Sequence, residues 1–132
     1  MSAPLTFALL ISGPPYGNSR ASRALQLARA ILNAGHKLPR IFFYQDGVLN
    51  ANSLLAPASD EFDLHQGWCE LAQQQGVQLE ICVAAAQRRG VLDQNEARLA
   101  RKPGSNTAVP FEMTGLLQLS EITEQCDRLI QL

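Results

Sequence analysis

Leu5-Thr6-Phe7-Ala8-Leu9-Leu10-Ile11 runs almost unbroken in apolar character into Ser12-Gly13-Pro14-Pro15. A short, continuous apolar run cut off by turn residues predicts a strand buried on both faces, as a parallel sheet requires. The run falls far short of the ~20 apolar residues that cross a bilayer. No basic residue precedes it and no small-residue cleavage site follows, so it does not read as a signal peptide.

Downstream of this strand the pattern changes period. Over residues 20–34, Ala24, Leu25, Leu27, Ala28, Ile31 and Leu32 recur at helical spacing, and Gly35 supplies a stop. Arg40-Ile41-Phe42-Phe43-Tyr44 predicts a second strand ending at Asp46-Gly47, and residues 48–59 read as a loop. Ser59 or Asp60 is positioned to cap a helix running to about residue 75, with Glu61 and Asp63 in its first turn and Gly76 at its end. Val77-Gln78-Leu79-Glu80-Ile81-Cys82-Val83 alternates and then turns fully apolar, predicting a third strand with Cys82 near its carboxyl end. Residues 84–110 are mixed, with a short helix over 93–100 and a Lys102-Pro103-Gly104-Ser105-Asn106 turn cluster marking the most mobile part. Phe111-Glu112-Met113 reads as a short strand, 115–126 as the last helix and 127–132 as a terminal strand. Strands alternating with helices predict an α/β domain over 1–132, with a mainly parallel sheet and right-handed crossovers.

The bulk properties narrow the function. A chain of 132 residues buries roughly two-thirds of its unfolded surface, enough for one core. Its 46% hydrophobic and 17% charged residues are those of a globular protein, and the modest charge suggests surface covered by partners. Eleven basic against twelve acidic residues argue against a grip on phosphate backbones, so no direct contact with nucleic acid and no membrane association is expected. Cys69, Cys82 and Cys126 are odd in number and widely spaced, fitting neither a disulfide framework nor a zinc site and pointing to the reducing cytoplasm.

Chemistry in such sheets gathers beyond the carboxyl ends of the strands. There Cys82 is followed by Val83-Ala84-Ala85-Ala86-Gln87-Arg88-Arg89-Gly90, which sets a thiol near two guanidiniums. Neighbouring cations favour thiolates, the form that attacks another sulfur. On composition and position alone, the stronger reading of Cys82 is a small buried hydrophobe, and of Arg88 and Arg89 a solvated pair. Cys69 and Cys126 read as packing residues, His36 and His65 as surface residues. The loop Ser12-Gly13-Pro14-Pro15-Tyr16-Gly17-Asn18-Ser19 could offer N–H groups to an anion, with Gly13 and Tyr16 lining a cleft. It lacks both the Gly-x-Gly-x-x-Gly and the Gly-Lys-Ser/Thr patterns, so a turn that starts a helix is the stronger reading. Asp46, Asp60, Glu61 and Asp63 match no metal-ligand spacing, and helix capping accounts for three of them.

Phe42-Phe43-Tyr44-Gln45-Asp46-Gly47-Val48, Pro57-Ala58-Ser59-Asp60 and Cys82-Val83-Ala84-Ala85-Ala86-Gln87-Arg88-Arg89-Gly90-Val91 together resemble the TusD/DsrE family of sulfurtransferase subunits. Gly13-Pro14-Pro15-Tyr16-Gly17 and Cys126-Asp127-Arg128-Leu129 extend the likeness over nearly the whole chain. The resemblance implies a three-layer α/β/α domain with about five mainly parallel strands. It implies a catalytic Cys82 that carries sulfur as a persulfide, with no metal or cofactor. Arg88 and Arg89 then stabilise the anion or guide a partner. The implied partners are TusB-like and TusC-like paralogous subunits, a TusA-like donor and a TusE-like acceptor, serving 2-thiouridine synthesis at the tRNA wobble position. The alternative within the family is a DsrE-type carrier in dissimilatory sulfur oxidation. Outside it stand a flavodoxin-like cofactor module using residues 12–19 and a non-catalytic scaffold subunit, the latter expected to lack the cysteine.

Overall fold

The computed structural model describes residues 3–132. Five strands, β1 (Thr6–Ile11), β2 (Lys37–Phe43), β3 (Gln78–Cys82), β4 (Phe111–Thr114) and β5 (Arg128–Gln131), form one sheet in the order β4-β3-β2-β1-β5. Every neighbouring pair is parallel. Between the strands lie α1 (Arg20–Asn33), a 3-10 helix (Gln45–Ala51), α2 (Leu64–Gln75), α3 (Val83–Arg88), α4 (Gln94–Leu99) and α5 (Leu116–Gln125).

The alternation of each strand assigns the faces. Phe43 and Phe111 turn toward α2, meeting Trp68 and His65 at ring centroids of 5.2 and 5.3 Å. Arg40 turns the other way and reaches Glu121 of α5. The sheet is thus layered between α1 with α2 and α5, the expected α/β/α arrangement. Ile11, Phe42, Phe43, Trp68, Leu79 and Ile81 are all fully buried and anchor one contiguous core.

Several boundaries moved, each for a physical reason. β2 begins at Lys37 rather than 40 and passes through Pro39, because its register with β1 shifts between Thr6 and Ala8, a bulge that accommodates a residue without an N–H. α2 starts at Leu64 rather than after Ser59 or Asp60: the cap is Asp63, whose carboxylate accepts the N–H of Gln66 at 3.0 Å. Glu61 instead closes a turn, its N–H donating to Ala58 O and its carboxylate accepting from Ala58 N. Residues 45–51, part of them read as loop, form the 3-10 helix.

The segment after Cys82 differs most. Val83 leaves the strand and opens α3, a six-residue alanine-rich helix with no apolar period to announce it. Asn106 then ties the turn cluster down, accepting the N–H of Leu92 at 2.7 Å and donating Nδ2 to Gly90 O at 2.8 Å.

Candidate active site

Cys82 is the last residue of β3 and the N-cap of α3, so the chain turns from strand to helix at the thiol itself. Glu80, two residues earlier, faces α5 through its contact with Arg40, and the pleat therefore carries the Cys82 side chain to the same face. There its register partner is Thr114, after which Gly115 caps α5. Cys82 is 3% exposed, and its thiol makes no cap hydrogen bond. Its burial matches the packing reading, while its place at the strand tip matches the functional one.

The two arginines separate. Arg89 directs Nε to Asp46 Oδ1 at 2.8 Å and Nη1 to Ala85 O at 3.1 Å, bracing α3 against the 3-10 helix. Asp46 is thereby an ion-pair partner. Arg88 is exposed and forms no salt bridge among the described residues. Gln87 Nε2 donates to Glu96 Oε2 at 2.7 Å, fastening α3 to α4.

The loop after β1 is not an open anion cradle. Ser12 and Gly13 both give their N–H groups to Leu132 O, at 2.7 and 3.3 Å, and Gly13 O accepts from Asn50 Nδ2 at 3.1 Å. Gly13 is buried, and a side chain there would press on Arg20 Cβ at 2.7 Å. Tyr16 lines an open groove of about 490 Å³ with Phe62 and Asn18, its hydroxyl donating to Phe62 O and accepting from Leu64 N.

Both histidines do more than sit on the surface. His36 Nδ1 accepts the N–H of Leu5 at 3.0 Å, and its ring meets Phe7 edge to face. His65 Nδ1 bonds Asn50 O at 2.9 Å, which makes it the donor; Nε2 is left to accept, 3.7 Å from Cys69 Sγ. Burial pushes the Cys69 thiol up from its ordinary value of 9.0, and Asp63 and Glu70 push in the same direction. Cys69 is therefore a protonated donor to His65, with the electrostatics of a packing residue rather than a nucleophile. Asn50, unremarked in the sequence, is the hub: it also accepts Trp68 Nε1–H at 3.0 Å.

Among the described residues no three His, Cys, Asp or Glu side chains converge as metal ligands, and no helix is long and apolar enough to cross a membrane. Residues 6–132 match the model of the DsrE/DsrF-like family. The chain is 54% identical to sulfurtransferase TusD of Sodalis glossinidius over 127 residues, covering 96% of this chain and 98% of that one. It is 53% identical to sulfurtransferase TusD of Yersinia pestis over 131 residues, 99% of each chain. Among solved structures, the ychN protein of E. coli shares the fold at a TM-score of 0.76, with 21% identity over 97% of this chain and 99% of that one. A sheet, a strand-tip cysteine and a likeness that runs end to end lead to one conclusion: the chain belongs to the DsrE/DsrF-like family.

Proposed function

We propose that the protein relays sulfur as a persulfide on Cys82, taking it from a TusA-like donor and passing it to a TusE-like acceptor for tRNA wobble 2-thiouridine. A sulfur-transfer role comes with the family and with full-length relatives named sulfurtransferase TusD. The observation that carries the residue assignment is the position of Cys82: a free thiol at the carboxyl tip of a parallel strand, where such sheets place their chemistry.

The Cys82 thiolate attacks the outer sulfur of the donor persulfide, and the donor cysteine departs as thiolate. An acceptor thiolate then attacks that same outer sulfur, releasing Cys82 as thiolate. No electron is gained or lost overall. Because Cys82 is buried, exchange requires the segments above it to yield when a partner docks. Arg88, exposed at the opposite end of α3 from the thiol, is free to meet an acidic partner. TusB-like and TusC-like subunits in the cytoplasm complete the assembly.

Incubation with a persulfidated TusA-like protein, followed by intact and peptide mass spectrometry, tests this reading. Wild type gains one sulfur on Cys82, and Cys82→Ser gains none there. A wild-type Cys82 that stays unloaded overturns the reading, and copurification with the two paralogues tests the assembly.

A further inference from the structure

Cys82 of β3 and Thr114 of β4 are register partners in a parallel pair. Their side chains leave neighbouring strands on the same face, with roughly 4.8 Å between the strands. The Thr114 hydroxyl oxygen is buried and has no hydrogen-bond partner. Only one other side-chain oxygen or nitrogen among the described residues shares that state, Thr107 Oγ1, in the loop before β4. A buried hydroxyl with nothing to bond is costly, and native structures keep few of them. The Cys82 thiol does not bond it either, since the hydroxyl has no partner at all.

A persulfide would change this. The added sulfur stands about 2 Å beyond Sγ and, when ionised, is an acceptor on the face where the Thr114 hydroxyl lacks a partner. We propose that Thr114 donates its hydroxyl hydrogen to the outer sulfur of the Cys82 persulfide, holding the cargo between loading and delivery. The inference rests on the carrier reading of Cys82 and assigns a second residue to the same site.

The chemistry balances without a further reactant. Loading forms the Cys82 Sγ–S bond and breaks the donor S–S bond, with the donor leaving as thiolate; the proton of the transferred sulfur passes to water, leaving an anion for Thr114 to bond. Delivery breaks the Sγ–S bond, and Cys82 leaves with the electron pair.

The test equilibrates wild type, Thr114→Val and Thr114→Ser with glutathione persulfide and glutathione, and reads Cys82 occupancy by intact mass across a range of pH. A hydrogen bond to a charged group predicts about tenfold weaker retention in the valine variant. The loss is seen where the persulfide is ionised and fades at acid pH, and serine restores retention. The valine variant melts no lower than wild type, because the hydroxyl it removes was unpaired. Equal retention by Thr114→Val, or a loss that serine does not repair and that tracks a lowered melting temperature, overturns the inference while leaving Cys82 as carrier. A wild-type Cys82 that takes up no sulfur overturns the carrier reading and this inference with it.

Discussion

Arg40 grips Glu80 with two prongs, Nε on Oε2 at 2.7 Å and Nη2 on Oε1 at 2.8 Å, joining β2 to β3 beneath α5. Glu80 is 1% exposed, so the pair is desolvated, and Nη1 extends it to Glu121 Oε1 at 2.7 Å and Gln125 Oε1 at 3.2 Å on α5. The bond to Glu80 is the largest influence on the guanidinium and holds its pKa above the ordinary value, against the opposing effect of burial. Arg40 is then charged at every working pH.

Arg40→Met leaves the Glu80 carboxylate buried without a counter-charge and is expected to destabilise by about 3–5 kcal/mol. Arg40→Met with Glu80→Leu recovers most of that loss, since an apolar pair of similar volume replaces the ion pair. Denaturant midpoints of the two single variants and the double variant check the coupling.

Gly47 answers to a different constraint. A Cβ there would overlap the carbonyl oxygen of Ile11 and stand 2.7 Å from its carbon, both backbone atoms that cannot swing aside. The site is also held by Tyr44 N donating to Ile11 O at 2.9 Å and Gly47 N to Tyr44 O at 2.8 Å. Gly47→Ala is expected to cost about 3 kcal/mol or more, read as a lower urea midpoint at unchanged slope.

Cys69 sets an alkaline limit on stability. Its folded thiol holds the proton more tightly than the ordinary 9.0, so the unfolded chain loses its proton first as pH rises. The stabilisation is complete below about pH 9 and drains away as pH climbs toward the raised native value. Cys69→Ala is expected to flatten the fall of unfolding free energy above pH 9, measured by denaturation at a series of pH values. In wild type, iodoacetamide labels Cys69 far more slowly than an unburied thiol.

Arg88 tests the partner face. Arg88→Glu is expected to slow sulfur exchange with the protein donor several-fold at low ionic strength and much less at high salt. Loading of Cys82 by a small persulfide stays unchanged, as does thermal stability, because Arg88 forms no ion pair among the described residues. Stopped-time mass spectrometry at two salt concentrations decides it.

The sheet was legible because its strands carry their own signal: the apolar run at Leu5–Ile11 and the aromatic Phe42-Phe43 announce burial wherever the neighbours lie. α1 likewise shows its period and its stop in the sequence. The start of α2 was not, since Ser59, Asp60 and Asp63 are all competent caps and only the Ala58–Glu61 turn selects Asp63. α3 escaped because six residues, half of them alanine, hold less than two turns of pattern. Cys82 stood out by its strand-end position, whereas Thr114 and Asn50 meet partners far along the chain, among them Cys82 and Trp68, 32 and 18 positions away. Such pairings belong to register and tertiary hydrogen bonding, on which local sequence is silent.

β1 sits between β2 and β5, and Phe7 pairs with Arg128 across nearly the full length of the chain. During synthesis, therefore, the first strand can find β2 early but must wait for the final residues before its second edge is closed. An open, apolar edge of this kind invites foreign strands, and long-range parallel pairing is slow to form. Shortening the chain by its last five residues is consequently a route to aggregation rather than to a slightly weaker fold, and the nascent protein is at greatest risk in the seconds before β5 emerges.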